Sequence, residues 1–254
     1  MLVARPSQQL IFQVRWNASA TVHSTENYGS DGVLTDAEIA GITSIDVRRL
    51  NIKNLQGIEF FTALTEFSCY DNQLTSLDIS KNTALTELSC GNNQLTSLDV
   101  SKNTALKELQ CHYNQLTSID VSKNTALTKL YCYGNKLTSL DVSQNTALKT
   151  LHYYQNQIKG EAMDALIASL PTVSDGTMRV IYNENEQNVM TTTQVAAANA
   201  KGWTPYYYYG GWQEYAGSEP VGLRGDLNGD GEVNMSDVMF LVQKILNGKF
   251  PDEK

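Results

Sequence analysis

The stretch from Leu85 to Ala105 reads LTELSCGNNQLTSLDVSKNTA, and close copies of this 21-residue unit lie on both sides of it. Its opening leucine recurs every 21 residues, as Leu64, Leu85, Leu106, Leu127 and Leu148. An asparagine recurs as Asn72, Asn93, Asn114, Asn135 and Asn156, and a cysteine as Cys69, Cys90, Cys111 and Cys132, with Tyr153 in the fifth slot. A looser unit precedes the series, with apolar Ile42, Ile45, Val47, Ile52, Leu55 and Ile58. Self-similarity at a fixed period predicts a repeat architecture.

A single unit is too small to fold alone. Its apolar side chains would contribute roughly 10–20 kcal/mol if fully buried, whereas ordering its backbone costs roughly 20–40 kcal/mol. Neighbouring units must therefore share strands and buried faces, in a parallel ladder spaced about 4.8 Å apart. The unit is also too short for a full helix on its outer side, so the segment from Asp99 to Thr104 is expected to be a turn or a 3₁₀ piece.

The unit resembles the leucine-rich-repeat pattern L-x-x-L-x-L-x-x-N-x-L, with cysteine in the third apolar place, and is similar to the repeats of internalin-like bacterial proteins. The resemblance implies an α/β solenoid, a leucine-rich-repeat arc with a parallel strand ladder on the concave face and short turns or 3₁₀ pieces on the convex face. It also implies that the buried asparagines bond to backbone groups. The recurring acids, Asp78, Asp99, Asp120 and Asp141, are interpreted as turn residues.

The four cysteines fall one per unit, all at an apolar position. A metal ion needs ligands that converge on one point, and a column does not converge. The even count permits disulfides, but the leucine-like slot favours buried free thiols.

Two segments resemble calcium loops. The sharper, from Asp226 to Asp237, has glycine at its sixth position and is followed by an apolar helical stripe, and it resembles half of a type I dockerin. Its expected Ca²⁺ ligands are Asp226, Asn228, Asp230, Glu232, Asn234 and Asp237. The weaker, an EF-hand-like N-terminal loop, has candidate ligands Asn27, Asp31, Val33, Thr35 and Glu38, but glycine replaces the third ligand. The alternative is a degenerate loop that serves as a cap.

In dockerins, the tenth and eleventh loop positions contact the cohesin partner, and these positions are Met235 and Ser236 here. Dockerins pair two such repeats, and this sequence carries one. The helix after the loop is therefore expected to pack on the solenoid, to dimerise, for example with a second dockerin half, or to belong to a truncated pair.

The predicted organisation has five parts: an EF-hand-like N-terminal cap (1–40), the repeat solenoid (41–158), a C-terminal cap (159–216), a linker (217–223) and the dockerin-like half-repeat (224–254). In the C-terminal cap we predict helices over 161–170 and 193–201, a strand over 178–182 and an edge strand over 203–209. Tyr206, Tyr207, Tyr208, Tyr209 and Trp212 would form either a sugar-stacking platform or an aromatic cover over the last repeat.

Residues on the strands that alternate with the core positions should form the concave face. They are acidic and small in the first repeats, then aromatic and histidine-rich. The candidate ligand-binding residues are Tyr70, Glu87, Glu108, His112, Tyr113, Tyr131, Tyr133, His152 and Tyr154, because exposed tyrosine is typical of binding surfaces. His112 and His152 lie two repeats apart, roughly 10 Å, too far for one ion.

A net charge of −8 argues against nucleic acid as a partner. The sequence contains no apolar run long enough for a membrane span and no Ser-His-Asp, metalloprotease or phosphate-loop pattern. We therefore expect a non-enzymatic adhesion module that binds a protein or a glycan. An alternative is an accessory component of a polysaccharide-degrading complex, docked through the tail. The N-terminus has no signal-peptide core, but the resemblance and calcium at extracellular concentration favour a secreted or cell-surface location, with the export signal outside this sequence.

Overall fold

The structure is a computed structural model, and it describes residues 21–23, 36–182, 186–208 and 210–218. The dockerin-like loop, its helix and residues 27–35 of the N-terminal loop lie outside this described part, as does Tyr209. The calcium and cohesin predictions for those segments therefore stay predictions.

The described residues form one sheet whose ten strands lie in the same order in space as in the chain. The strands are β1 (Thr21–His23), β2 (Ser44–Asp46), β3 (Glu66–Ser68), β4 (Glu87–Ser89), β5 (Glu108–Gln110), β6 (Lys129–Tyr131), β7 (Thr150–His152), β8 (Gly176–Ile181), β9 (Trp203–Tyr208) and β10 (Trp212–Glu214). Strands β2 to β9 run parallel, and β1 and β10 add one antiparallel strand at each end. The helices are α1 (Asp36–Gly41), a 3₁₀ turn (Ile58–Phe60), α2 (Glu161–Ser169) and α3 (Thr192–Ala200). This is the expected open solenoid.

The register of the ladder follows from the repeat. The middle residue of each repeat strand points into the core, and these residues pair in line as Phe67, Leu88, Leu109, Leu130 and Leu151. Side chains alternate along a strand, so the residues before and after each of them face outward. The opening leucines of the units are fully buried beside them, which confirms the apolar columns.

The predicted asparagine column is fully bonded. The Asn114 side chain donates to the carbonyl oxygens of Cys90 and Cys111 and accepts from the backbone N–H of Leu95 at 3.0 Å. Equivalent bonds recur at each repeat from Asn72 to Asn156. Each amide bonds to backbone carbonyls of its own repeat and of the preceding repeat. The column therefore links the turn after each strand to the end of the preceding strand.

A second asparagine column lies on the convex side and was missed from the sequence. Its members are Asn82, Asn103, Asn124 and Asn145, each with no exposed surface. Each side chain donates to two backbone carbonyls of the preceding repeat, as Asn103 does to Ile79 and Asn82. The 21-residue spacing of these asparagines is visible in the sequence, but their segment was predicted to be a turn and no buried role was predicted for them. The neighbouring acids are turn residues as expected: the Asp99 carboxylate accepts from the Ser101 N–H at 2.8 Å.

The four cysteines are buried and free, as expected. Burial raises the pKa of the Cys69 and Cys111 thiols to about 12, so both stay protonated at neutral pH. Tyr153 takes the cysteine slot in the fifth unit, and its hydroxyl donates to the Met163 sulfur on α2. The column thus ends where the first helix of the C-terminal cap covers it.

The C-terminal cap continues the sheet instead of closing it with a separate layer. Helices α2 and α3 pack together behind β8 and β9, and a capping box between Thr191 and Gln194 starts α3. Trp203 is fully buried beneath them. The prediction that 203–209 is the edge strand was wrong, because β10 pairs with the outer side of β9. None of the described helices is long and apolar enough to cross a membrane.

Candidate functional site: the concave strand face

Three columns of outward side chains cross the repeat strands. The first column contains Glu66, Glu87, Glu108, Lys129 and Thr150. The second column contains Ser68, Ser89, Gln110, Tyr131 and His152. The third column, two residues beyond each strand, contains Tyr70, Gly91, His112, Tyr133 and Tyr154. Since neighbouring strands are in register, each column is a row of side chains spaced by about one strand separation.

The third column forms an aromatic ladder that extends into the C-terminal cap. We define this ladder as Tyr70, His112, Tyr133, Tyr154, Tyr182 and Tyr208. The His112 and Tyr133 ring centroids are 4.5 Å apart, and those of Tyr133 and Tyr154 are 4.3 Å apart, in both cases nearly parallel. Tyr182 continues the stack at 5.3 Å from Tyr154. Stacked rings at these separations stabilise one another beyond the area that they bury.

The repeat that contains Gly91 contributes no aromatic ring to the third column, yet the ladder continues across it. A Cβ atom at Gly91 would lie 2.7 Å from the Cε1 and Nε2 atoms of His112, so the imidazole occupies the space that a side chain would need. This placement brings His112 within 5.7 Å of the Tyr70 ring, although the two residues stand two strands apart. Glycine at this one position keeps the ladder continuous.

Three side chains that the sequence predicts to be exposed are buried in the structure. His112 and His152 are each 8% exposed and Tyr154 is 6% exposed. Desolvation lowers the pKa of His112 to about 4, and desolvation together with the Arg179 charge lowers that of His152 to about 3. Both imidazoles are therefore neutral at pH 7. The expectation of a fully exposed aromatic surface was wrong for these three residues because their neighbours cover their faces.

Tyr113, which packs beside the ladder, has 42% of its surface exposed. Its ring meets His112 and Tyr133 edge-on, at 5.9 and 5.1 Å. A Cβ atom at Gly134, the equivalent position in the next repeat, would overlap the Tyr113 ring. The backbone of Tyr113 is left-handed, with φ 48°, a conformation that is unusual for a bulky residue.

Three of the four equivalent positions in the other repeats carry residues that accept this backbone more readily, and the fourth is Gln155. Asp71, Asn92, Gly134 and Gln155 all have φ between 53° and 65°. Asparagine, aspartate and glycine enter the left-handed region at the lowest cost. Tyrosine therefore occupies a strained position at which it is solvent-accessible.

The C-terminal part of the site includes Tyr208 and Trp212, which the sequence predicts as members of an aromatic platform or cover. Trp212 on β10 packs against Tyr154 at 5.1 Å and Tyr208 at 5.5 Å, and the Arg179 guanidinium lies 4.4 Å from its ring centroid. Tyr208 thus extends the ladder along the concave face, and Trp212 packs beside it on Tyr154 of the last repeat. Tyr207 contacts Tyr215 instead. The contributions of Tyr182 and Arg179 had no repeat signal, because both lie beyond the last unit.

The first column makes the N-terminal half of the face acidic. Glu66, Glu87 and Glu108 stand on adjacent strands in register. The Lys129 ammonium donates to Glu108 at 2.9 Å. Beside this row lies a groove of about 370 Å³ whose floor includes Ser68 and Ser89. In the described part of the chain, no three His, Cys, Asp or Glu side chains converge as a metal site would require.

Comparison with known proteins agrees with this architecture. A family model for leucine-rich repeats in two copies matches residues 62–103 and 104–145. Together with the parallel ladder, this decides the fold. The described chain is a leucine-rich-repeat solenoid. No curated protein matches this sequence.

Three solved structures are similar to the solenoid. The functional domain of the internalin InlJ from Listeria monocytogenes, which includes a cysteine ladder, is 37% identical over 62% of this chain and 33% of its own, with a TM-score of 0.53. An internalin InlF from the same organism is 23% identical over 69% of this chain and 49% of its own, with a TM-score of 0.56. A leucine-rich-repeat protein of Leptospira interrogans is 20% identical over 67% and 43%, with a TM-score of 0.55. The solenoid spans half or less of each of these chains.

Proposed function

We propose that this protein is a non-catalytic, secreted or surface-bound adhesion module that binds another protein through the aromatic ladder and Tyr113. The observation that carries the proposal is Tyr113, an exposed ring held in a left-handed backbone at a position where three of the other four repeats have Asp, Asn or Gly. Backbone strain of this kind persists where the surrounding structure enforces it and is concentrated at functional sites. Aromatic side chains with a rigid support are typical of the residues that dominate binding energy.

The ladder favours a protein over a glycan as the ligand. A sugar stacks its C–H face on the face of an aromatic ring, but the ladder rings cover one another's faces at 4.3–5.3 Å. What they offer outward is ring edges and hydroxyl groups. Burial raises the pKa of the Tyr133 and Tyr154 phenols, so the hydroxyls remain neutral donors at physiological pH. Edges and hydroxyls suit backbone carbonyls and side chains of a protein surface.

The same geometry supports a binding role over catalysis. Glycoside hydrolysis needs two carboxyl groups on opposite sides of the scissile bond, whereas the carboxylates of the first column lie in one row on one face.

Tyr113→Asn tests the proposal with a residue that the preceding repeat already carries at the equivalent position, Asn92. The variant loses ring contacts but relieves backbone strain, so the free energy of unfolding should change by less than about 1 kcal/mol. As a matched control, Phe60→Ala removes an exposed aromatic residue, 36% exposed, from the 3₁₀ turn away from the ladder.

The test compares three proteins: wild type, Tyr113→Asn and Phe60→Ala. Each is immobilised to capture host surface proteins, which are identified by mass spectrometry. Each is also applied to a glycan array in parallel. We expect to identify a host protein that wild type and Phe60→Ala capture in similar amounts and that Tyr113→Asn captures in at least 10-fold lower amount. Equal capture by all three, or a glycan signal that alone depends on Tyr113, would contradict the proposal.

We also propose that the segment from Asp226 to Asp237 binds calcium and serves assembly. The support is chemical: its side chains and one carbonyl supply the six or more oxygens that Ca²⁺ requires, with glycine at the turn. The ion would neutralise carboxylates that otherwise repel one another and would fix the loop. Titration calorimetry should show a Ca²⁺ heat that Asp226→Ala with Asp230→Ala abolishes, and an unchanged heat in that variant would refute the site.

A further inference from the structure

The N-terminal half of the concave face carries carboxylates that the protein does not neutralise. Glu66, Glu87 and Glu108 stand on three adjacent parallel strands, in direct register. Strand spacing places successive members about 4.8 Å apart. Like charges in such a row repel one another, so the arrangement carries a cost that the fold itself does not require, since Lys129 and Thr150 hold the same column in the next two repeats.

The available cations leave two of the three carboxylates unpaired. Lys129 pairs with Glu108 at 2.9 Å, and Gln110 donates to the same carboxylate at 2.6 Å. Arg48, at the N-terminal end of the row, is held by Asp46 at 2.6 Å, and this partner raises the pKa of the guanidinium. Among the described residues, Glu66 and Glu87 form no ion pair, and both are exposed.

The surface beside these carboxylates is a groove and not a flat sheet. The second column is small here, with Ser68 and Ser89 where later repeats have Tyr131 and His152. The resulting groove of about 370 Å³ is lined by Asp46 and Arg48 at one end and by Gln110 at the other. Its volume is at the low end of the range, roughly 300–1,000 Å³, that ligand sites occupy.

We infer that this groove receives a basic segment of the partner protein, with lysine or arginine side chains set against Glu66 and Glu87. The inference rests on the proposed function in taking the partner to be a protein. Charge complementarity selects the occupant: the unpaired carboxylates attract cationic side chains, and they repel nucleic acids and anionic glycans. Serine hydroxyls on the floor leave room for the long side chain, and the aromatic ladder begins beside the groove at Tyr70.

A basic segment fits better than a metal ion. Calcium takes six to eight oxygens around one point, whereas these carboxylates lie in a row whose third member is occupied by Lys129. An extended peptide places alternate side chains roughly 6.6 Å apart on one face, wider than the spacing of about 4.8 Å in the row. The long, flexible lysine side chains bridge this difference.

The test uses the full chain and a fluorescein-labelled peptide, Gly-Lys-Ser-Lys-Ser-Lys-Gly, in EDTA so that no calcium contributes. Fluorescence anisotropy would be measured for wild type, for Glu66→Gln with Glu87→Gln, and for Glu161→Gln with Glu214→Gln. The second pair of residues is exposed and lies outside the groove, on α2 and β10. Both double variants remove two negative charges from the chain, so a difference between them reports the position of the charge.

We expect the groove variant to weaken peptide binding roughly 3- to 10-fold, as two exposed ion pairs imply, and the control variant to bind like wild type. Tyr113→Asn should leave peptide binding unchanged, which separates a failure of the groove from a failure of the aromatic surface. Equal weakening in both double variants, meaning a general charge effect, or no weakening in either, would overturn the inference. Glutamine removes repulsion within the row, so loss of the fold does not confound the comparison.

Discussion

Single residues on the concave face show two ways of making room for a ring. At Gly91, the absent side chain is replaced by the His112 imidazole from the next repeat. At Gly134, the absent side chain leaves space for Tyr113, whose own backbone is left-handed. In both cases a glycine one repeat away decides the position of an aromatic ring, so the ladder depends on pairs of residues and not on the tyrosines alone.

The buried imidazole of His112 should make the protein sensitive to acid. Its folded-state pKa of about 4 lies below the ordinary value of about 6.5. Between these two values the unfolded chain binds more protons than the folded chain, so stability falls as pH falls from about 6.5 towards 4. Relative to His112→Gln, wild type should lose an additional 1–2 kcal/mol, roughly, between pH 7 and pH 4, which is less than the full shift implies because the ring keeps some contact with solvent.

Urea unfolding of both proteins at pH 7, 5.5 and 4 measures this difference. His152 titrates in both proteins and cancels in the comparison. If the two stability curves run parallel across this pH range, His112 is not desolvated in the folded state.

At the scale of one repeat, the sequence predicts most of the structural features that recur at a regular spacing. The apolar columns, the inner asparagine column and the turn aspartates all follow from a 21-residue period, because each has the same environment in every repeat. The convex asparagines were missed although they share that period, because Asn103 lies in a segment typical of turns. The two asparagine columns have different bonding: the inner amides use both donor and acceptor, whereas the convex amides bond through Nδ2, and the Oδ1 atoms of Asn82, Asn103, Asn124 and Asn145 have no protein partner.

Removing one inner amide should cost far more than removing an exposed neighbour. Asn114→Ala deletes the bonds to Cys90, Cys111 and Leu95; the two carbonyls keep the bonds from Asn93 and Asn135, whereas the buried Leu95 N–H loses its partner. The expected loss is about 2–4 kcal/mol in the free energy of unfolding, since an orphaned buried group costs about 1–3 kcal/mol and each of the other lost hydrogen bonds about 0.5–1.5 kcal/mol. Gln115→Ala, at the adjacent exposed position, is the matched control and should change stability by less than about 0.5 kcal/mol. Chemical denaturation of both variants decides the matter, and a loss below about 1 kcal/mol for Asn114→Ala would show that water replaces these bonds.

At the scale of the molecule, repetition fixes the solenoid, and the departures from the repeat give the concave face its acidic and aromatic halves. The acidic and aromatic halves were predictable from the strand alternation, but the burial of His112, His152 and Tyr154 was not, because it depends on how rings from different repeats pack together. Tyr182, Tyr208 and Trp212 join the ladder only because β8, β9 and β10 continue the same sheet. Those strands lie beyond the last unit, where no repeat signal places them.

The cysteine column offers a reporter for how this stack unfolds. All four thiols are buried, and burial raises their pKa values, so native protein should resist alkylation at pH 8. In a repeat stack, interior units are held on both sides and terminal units open first. Cys69 follows β3, the third strand from one end, whereas Cys111 and Cys132 follow β5 and β6 in the middle.

Pulsed iodoacetamide labelling with peptide mass spectrometry, at increasing urea, should therefore detect Cys69 at or below the denaturant concentration that exposes Cys111 and Cys132. A Cys69→Ser variant supplies the control for peptide assignment. The reverse order, with Cys111 labelled before Cys69, would mean that the N-terminal strands β1 and β2 stabilise their end of the solenoid more than neighbouring repeats stabilise its centre.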